Sequence, residues 1–388
     1  MGRFIPTNLP LLNNEEVKIA KEVLESGLLT QKAGLGEHTK KFESLFAEYT
    51  GTKYAIAVNS GSAAIHAALL ALNLPRDSEI ITTPFSFVAT ASMGLHVGAK
   101  VIFADITPET YNIDVEKIKL VYSKKTKVII PVHLYGHPVD MDPLMEFATE
   151  KDLVVIEDAC QAHGAEYKGI KVGSIGDVGA FSFYPSKNMT TIGEGGMITT
   201  NNDDLAQKIS EVRNHGESKD YETVRLGHNF RMPEVSSAIG TVQIKKLPEF
   251  IKTRTKNAEF LNSVLEDNPI IKPPVVKDYC TQHAWYLYTV TFKDIAKRDP
   301  FIVKMQSNNI GTGIYYSTPI HLMPLYKEEY GYKGGEYPQA EQACKEVLSI
   351  PVNPTLKKDE LELIKDKIVE FTNENVTNKL PPAKPAPK

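Results

Sequence analysis

Cysteine is scarce in this chain: Cys160, Cys280 and Cys344 in 388 residues, far apart and never as a CxxC pair. That spacing excludes a disulfide framework and a cysteine-rich zinc module, and it fits a reducing compartment. Positive charge is not in excess: 44 Lys and Arg against 48 Asp and Glu give a net charge of −4. No basic cluster is interleaved with aromatic residues, so neither nucleic acid nor an anionic membrane is an expected partner. Long apolar runs are missing too. The longest candidate, Ala63 to Leu74, contains His66 and Asn73 and falls short of the ~20 residues that span a bilayer. No apolar stretch of the kind a secretion signal needs follows Met1, so the expected location is the cytoplasm. Also absent are a GxGxxG after a strand, a Walker A loop, HExxH and GxSxG. Gly34-Leu35-Gly36, for example, continues into Glu37-His38-Thr39 without a third glycine. These absences weaken dehydrogenase, kinase, zinc-hydrolase and serine-esterase assignments.

What is present is the composition of a globular chain, 42% hydrophobic and 24% charged, long enough for two domains at roughly 150 residues each. From Tyr54 to Thr200 short β-branched runs alternate with helical stretches. Tyr54–Val58, Ile80–Thr82, Val101–Phe103, Val128–Val132 and Leu153–Ile156 read as strands, with Ala180–Phe183 and Met197–Thr200 as two more. Continuous apolar strands separated by helices predict a mostly parallel sheet covered on both faces, an α/β architecture. After Lys245 the texture changes. Helices over Phe250–Glu266 and Gln339–Leu348 flank a strand at Tyr286–Phe292, the pattern of a smaller α+β domain. The expected division is 1–245 for a large domain with an N-terminal arm, 246–380 for the small domain, and 381–388 for a proline-rich disordered tail.

Three segments carry chemistry. Val58-Asn59-Ser60-Gly61-Ser62 ends a strand and starts a helix, a natural phosphate cradle, although taken alone the segment is better explained by Ser60 or Ser62 as a plain N-cap. Glu157 and Asp158 end an apolar strand at the edge where open α/β sheets bind ligands. Successive strand residues face opposite ways, so one carboxylate is expected to be structural and the other to face a ligand. The nearby His163 gives too weak a spacing to argue for a metal, and no metal site is expected. Lys187 follows Phe181-Ser182-Phe183-Tyr184-Pro185-Ser186 and precedes the glycine cluster Gly193 to Gly196. Most lysines keep their ammonium in water, but one held in an apolar pocket deprotonates more readily and becomes a nucleophile able to form a Schiff base. A Schiff-base lysine, a phosphate cradle and a carboxylate for a pyridinium nitrogen are the fixings pyridoxal phosphate requires.

The chain resembles the DegT/DnrJ/EryC1/StrS family of pyridoxal-phosphate-dependent sugar aminotransferases from about Leu9 to Ile364. The resemblance is carried by Gly27-Leu28-Leu29-Thr30, Asn59-Ser60-Gly61-Ser62, Thr83–Thr90, Glu157–Ala165, the Lys187 segment, Arg213-Asn214-His215-Gly216, Gly227–Arg231 and Pro319-Ile320-His321. It implies the type I, aspartate-aminotransferase-like α/β fold: a large domain with a mostly parallel mixed sheet and a smaller C-terminal α+β domain. It also implies pyridoxal 5'-phosphate, alternating with its pyridoxamine form, as cofactor. By the same resemblance Lys187 is the Schiff-base and proton-shuttling residue. Asp158 pairs with the pyridine nitrogen, Phe87 stacks on the ring, Gln161 meets the phenolic oxygen, and Gly61, Ser62 and Ser182 hold the phosphate. Asn229 reaches that phosphate from the partner of a homodimer. The plainer alternatives stay open: a core aromatic for Phe87 and a loop-capping amide for Asn229. Thr30, Tyr316 and His321 are substrate-side candidates, Tyr316 and His321 equally well read as interdomain packing.

The implied reaction moves an amino group from glutamate, or glutamine, to a nucleotide-linked keto-sugar, with 2-oxoglutarate as the co-product from glutamate and ping-pong kinetics. A sugar dehydratase or lyase on the same fold, or a non-catalytic cofactor-binding regulator, is the alternative. Ser62 stands where the family often has threonine, His228 where tyrosine is usual, and Tyr315-Tyr316-Ser317-Thr318-Pro319 where His-Tyr-Pro-x-Pro is common. These departures bear on the substrate. Lys187 bears on the reaction, since family members with histidine there are dehydratases.

Overall fold

Two amphipathic helices precede the first strand. In the first, α1 (Asn14–Ser26), Asn13 accepts the Glu15 N–H while the Glu16 carboxylate accepts the Asn13 N–H, a reciprocal cap. The second, α2 (Glu37–Thr50), buries Phe42 and Phe46. The structure, a computed structural model, describes residues 3–30, 36–219 and 221–377, so the expected tail at 381–388 lies outside the described residues.

The chain then alternates as the apolar pattern predicts. In order come β1 (Tyr54–Val58), α3 (Gly61–Leu72), β2 (Glu79–Thr82), α4 (Ala89–His96), β3 (Lys100–Phe103) and α5 (Val115–Val121). They are followed by β4 (Thr126–Ile130), α6 (Met141–Lys151) and β5 (Val154–Asp158). A two-residue hairpin, β6 (Glu166–Tyr167) and β7 (Ile170–Lys171), leads to β8 (Val178–Ser182), β9 (Gly196–Thr200), α7 (Asp203–Arg213) and α8 (Glu234–Leu265). The seven long strands form one sheet in the order β1-β9-β8-β5-β4-β2-β3, all parallel except β9. Val58, Ile156, Val178 and Ile198 pack under the alanine-rich α3 and under α7. Phe181, Phe183 and Met197 pack under α2 and α8. With both faces covered, the strands carry apolar residues without alternation. The carboxyl ends of β1, β5 and β8 therefore meet at one edge of the sheet, joined by the first residue of the antiparallel β9.

A second core forms where strands Ile271–Lys272, Tyr288–Phe292 and Val347–Ile350 pair antiparallel. Helix Arg298–Ser307, the C-terminal helix Lys358–Thr377 and the second half of α8 cover it. Three expectations need correction. The helix read over Phe250–Glu266 is only the last half of the 32-residue α8. The boundary at 245/246 thus falls inside one helix, whose Ile244 and Leu247 join the first core and whose Leu261 and Leu265 join the second. The helix expected to reach Leu348 stops at Glu346, because Val347 and Leu348 pair with Thr291 and Val290 as strand. The N-terminal arm is not confined to the large domain: Ile5 bridges Ile310 and is buried in the second core. Arg254 of α8 fastens that arm, donating to Asn8 and to the Trp285 and Tyr286 carbonyls. Burial pushes its guanidinium down to about 9.

Candidate active site

At the carboxyl edge of β1 the chain turns directly into α3. Ser60 caps the helix, its hydroxyl accepting the Ala63 N–H at 3.0 Å. Of the two serines that could have capped it, Ser60 does so, and Ser62 keeps its hydroxyl for another partner. Gly61 and Ser62 lie in the first turn, whose N–H groups have no intrahelical acceptor. A Cβ at Gly61 would stand 2.8 Å from both the Ser182 Cβ and the Cys160 Sγ. Glycine is required there because the helix end touches the end of β8 and the turn after β5. This contact sets Gly61 and the unpaired first-turn N–H groups of α3 against Ser182 at the end of β8. Replacing Gly61 by alanine is expected to push α3 off β8. The expected cost is about 1–3 kcal/mol of stability in urea denaturation and at least about tenfold in affinity for added pyridoxal phosphate, measured by spectral titration.

The two carboxylates after β5 separate as strand alternation requires. Glu157 is fully buried and spent on structure. It accepts N–H groups from Gly173, Ile175 and Gly176 at 2.7–2.8 Å and faces His133 Nε2 at 2.9 Å. Asp158, 4% exposed, turns the other way. Thr90 donates to its Oδ2 at 2.6 Å and the Cys160 N–H to its Oδ1 at 3.1 Å. Each oxygen keeps lone-pair capacity for a further donor. Gln161 is held by the Tyr135 N–H at its Oε1 and by the Tyr316 hydroxyl at its Nε2, both at 3.1 Å. Two residues 155 positions apart in sequence are thereby joined.

Lys187 sits in the turn between β8 and β9, half-buried, its N–H bonded to the Tyr184 carbonyl. Its Nζ lies 4.5 Å from the centroid of the Tyr286 ring, a cation–π distance. The Tyr286 hydroxyl is 3.1 Å from Ser186. Among the described residues Lys187 has no acidic partner. Several neighbours are held in their neutral forms: burial, reinforced by the nearby Asp158, holds the Cys160 thiol well above its ordinary range. Burial, with the Lys187 charge second, pushes His163 down to about 3. Burial also raises Tyr316 and Tyr135 far above the usual phenol range. Phe87 is 57% exposed, so the core-aromatic alternative fails. Phe85, two residues earlier, fills that role.

The remaining candidates lie apart. Asn229 is exposed, and its backbone carbonyl accepts from the side-chain Nδ2 of Asn59, two residues before Gly61 in the same chain, at 3.4 Å. Thr30 is exposed at the end of the segment after α1. His321 is enclosed between Tyr332 and Tyr337 with Nε2 3.1 Å from Glu341. It belongs to a clamp in which Glu336 and Glu341 hold the loop amides of Lys333, Gly334 and Gly335. The ligand atoms of His321, Glu336 and Glu341 lie within 4.8 Å of one another, but these loop bonds account for both carboxylates. Thr90, Tyr135, Ser186 and Tyr286 are site residues that sequence reasoning did not single out. Only Thr90 and Ser186 left a trace, inside segments already marked as motifs.

The residues present fit pyridoxal phosphate. A helix end with no room for a Cβ, a spare hydroxyl at Ser62, a buried carboxylate with unused lone pairs, an exposed flat ring at Phe87 and a lysine without an ion pair converge on one edge. The family model described as DegT/DnrJ/EryC1/StrS aminotransferase family matches residues 10–369. The chain is 36% identical to the spore coat polysaccharide biosynthesis protein SpsC of Bacillus subtilis, over 93% of this chain and 95% of that one. It is 37% identical to the GDP-perosamine synthase of Caulobacter vibrioides, over 78% and 82%. The crystal structure of S. venezuelae DesV in complex with a ketimine intermediate superposes with a TM-score of 0.88 at 32% identity, covering 95% of this chain and 99% of that one.

Proposed function

The chain belongs to the DegT/DnrJ/EryC1/StrS aminotransferase family, and from that premise we propose that it moves an amino group from glutamate to a nucleotide-linked keto-sugar at the Lys187 site. It is a pyridoxal-phosphate-dependent aminotransferase of fold type I. The sugar acceptor is supported by relatives named for GDP-perosamine and for dTDP-aminodeoxyglucose. The observation that carries the reading is the pairing at one sheet edge of Lys187, free of any acidic partner, with buried Asp158.

Gly61, Ser62 and Ser182 would hold the phosphate, Asp158 the pyridine nitrogen, Gln161 the ring oxygen and Phe87 the ring face, and Lys187 would hold the carbonyl carbon until the donor's amine takes its place and frees the Nζ. When bound, pyridoxal phosphate supplies a conjugated ring that takes up the electron pair left as a C–H bond of the donor breaks. The protein's own work is positional and protonic. Lys187 Nζ, over the Tyr286 face, takes and returns the proton at the reacting carbon. Thr90 and the Cys160 N–H fix the direction of the Asp158 carboxylate, and the buried Tyr135 and His163, with the partly buried Tyr316, exclude water. Exposed Asn229 and the exposed Leu9, Leu11, Leu12, Leu28 and Leu29 support a homodimer in which Asn229 serves the partner's phosphate. No described helix is long and apolar enough to cross a membrane, and we place the enzyme in the cytoplasm.

The test is to add glutamate to the cofactor-loaded protein, record the visible spectrum, and then offer a panel of GDP- and dTDP-linked keto-sugars. The expected result is bleaching by glutamate, one equivalent of 2-oxoglutarate, an aminated sugar by mass spectrometry, and sedimentation as a dimer. Release of water or ammonia from the sugar without 2-oxoglutarate would turn the assignment to a dehydratase or lyase.

A further inference from the structure

Gln161 lies in the turn that leaves β5, three residues after Asp158, and is 3% exposed. An amide oxygen accepts and an amide nitrogen donates, so the partners of a buried glutamine fix which way round it sits. The Tyr135 N–H, 3.1 Å from Oε1, fixes this one. Nε2 is therefore turned to the Tyr316 hydroxyl, also at 3.1 Å, and Tyr316 is the acceptor of that bond. One Nε2 hydrogen is spent there. The other has no acceptor among the described residues. Both holds on Gln161 come from distant parts of the chain. Tyr135 stands at φ +58°, a left-handed conformation that a bulky residue takes only under constraint. The Leu134 N–H bonded to Asn112 Oδ1 at 2.9 Å, and the Tyr135 hydroxyl bonded to the Tyr315 carbonyl, keep it there. The Tyr316 ring stands edge-on to Phe85 at 6.1 Å, against the cluster that Phe85 shares with Tyr111 and Tyr135.

A buried N–H without an acceptor costs stability unless a ligand takes it. We infer that Tyr316 is a positioning residue of this site: by accepting one Gln161 hydrogen it turns the other onto the ring oxygen of bound pyridoxal phosphate. The inference rests on the aminotransferase reading and deepens it. It moves Tyr316 from the substrate side, where its hydroxyl would face the sugar, to a role played through Gln161. The titratable groups that face the pair are the Tyr135, Tyr286 and Tyr315 phenols and the Asp158 carboxylate. Burial, with Tyr286 and Asp158 behind it, holds the Tyr316 phenol in its neutral form, so it stays an acceptor with its own hydrogen in place. A donor fixed on the ring oxygen favours the charged form of that oxygen. Without Tyr316 the free end of the amide turns, the donor is lost, and the bound cofactor keeps its proton to higher pH.

The experiment uses the full chain saturated with pyridoxal phosphate and follows its visible band against pH. Tyr316→Phe keeps the ring against Phe85 and loses only the hydroxyl. Its midpoint is expected at least about half a pH unit above that of the wild type, the size of one hydrogen bond. Gln161→Ala should shift the midpoint at least as far. Adding Tyr316→Phe to Gln161→Ala should then move it by less than about 0.2 unit, because the two side chains act as one device. Tyr326→Phe, which removes a buried hydroxyl from a different aromatic cluster, is expected to titrate as the wild type does. Far-UV circular dichroism checks that every variant is folded. An unmoved midpoint in Tyr316→Phe overturns the inference, and a raised KM for the keto-sugar beside it would return Tyr316 to the substrate side. A full shift from Tyr316→Phe in the Gln161→Ala background also overturns it, since Tyr316 would then meet the cofactor directly. A wild type that takes up no pyridoxal phosphate overturns the aminotransferase reading and this inference with it.

Discussion

Replacing Lys187 by alanine is expected to leave a folded protein whose amine transfer falls at least about a thousandfold. The structural side of this expectation is mild. Lys187 contributes its backbone N–H to the turn through Tyr184, which alanine keeps, and its side chain ends over the Tyr286 ring without an ion pair. A half-buried side chain with one cation–π contact is worth about 1 kcal/mol, so the unfolding midpoint should move little. The chemical side is severe. Cys160 and His163 flank the same space, but burial keeps the thiol protonated and the imidazole a weak base, so neither can replace Lys187 as proton carrier. Lys187→Arg separates charge from nucleophilicity. Arginine preserves the cation over Tyr286 and stays protonated, and its turnover should be as low as that of the alanine variant. The measurement is single-turnover amine transfer beside a urea curve for each variant. Retention of a tenth of wild-type turnover in either one would remove Lys187 from the mechanism.

The sheet was legible because its strands are short apolar runs separated by helices, and the buried two-faced sheet imposes that texture on every strand from Tyr54 to Thr200. The edge of the sheet was legible because turn chemistry is local: a serine-glycine pair after β1, two carboxylates after β5, a lysine after β8. Local pattern goes no further. Nothing near Ile5 announces that it pairs with Ile310, and nothing near Gln161 announces Tyr316, since those contacts form only when the chain closes on itself. The length of α8 was hidden because Pro248 and the change of texture near Lys245 resemble a boundary, while packing on two cores holds one continuous helix. Val347 and Leu348 continued a helical pattern and became strand because the edge of Tyr288–Phe292 offered hydrogen bonds. The role of each site residue came from family resemblance. Physical reading of the sequence supplied the strand-end cradle at Ser60–Ser62, the nucleophilic Lys187 and the rule that one of Glu157 and Asp158 had to be structural.

That pair gives the sharpest separation of stability from catalysis. Glu157→Ala removes the acceptor of three N–H groups and the partner of His133. Each buried donor left unpaired costs about 1–3 kcal/mol, and breaking a buried charged network costs about 3–5 kcal/mol. A loss of about 4 kcal/mol is expected, read as a large fall in the urea midpoint, with near-normal turnover per folded molecule. Asp158→Asn should do the reverse. Its amide oxygen can still accept the Cys160 N–H and its NH2 can donate to the Thr90 hydroxyl, so stability should change by less than about 1 kcal/mol. On the role proposed for it, Asp158 would keep the pyridine nitrogen protonated, a service asparagine cannot give, so amine transfer should fall at least about a hundredfold. The two residues are adjacent, buried and both carboxylates, so with Glu157→Gln and Asp158→Ala made beside them to match the substitutions, a difference in role follows which face of β5 each side chain occupies. Should Glu157→Ala cost turnover rather than stability, or Asp158→Asn unfold the protein, the two faces have been assigned the wrong way round.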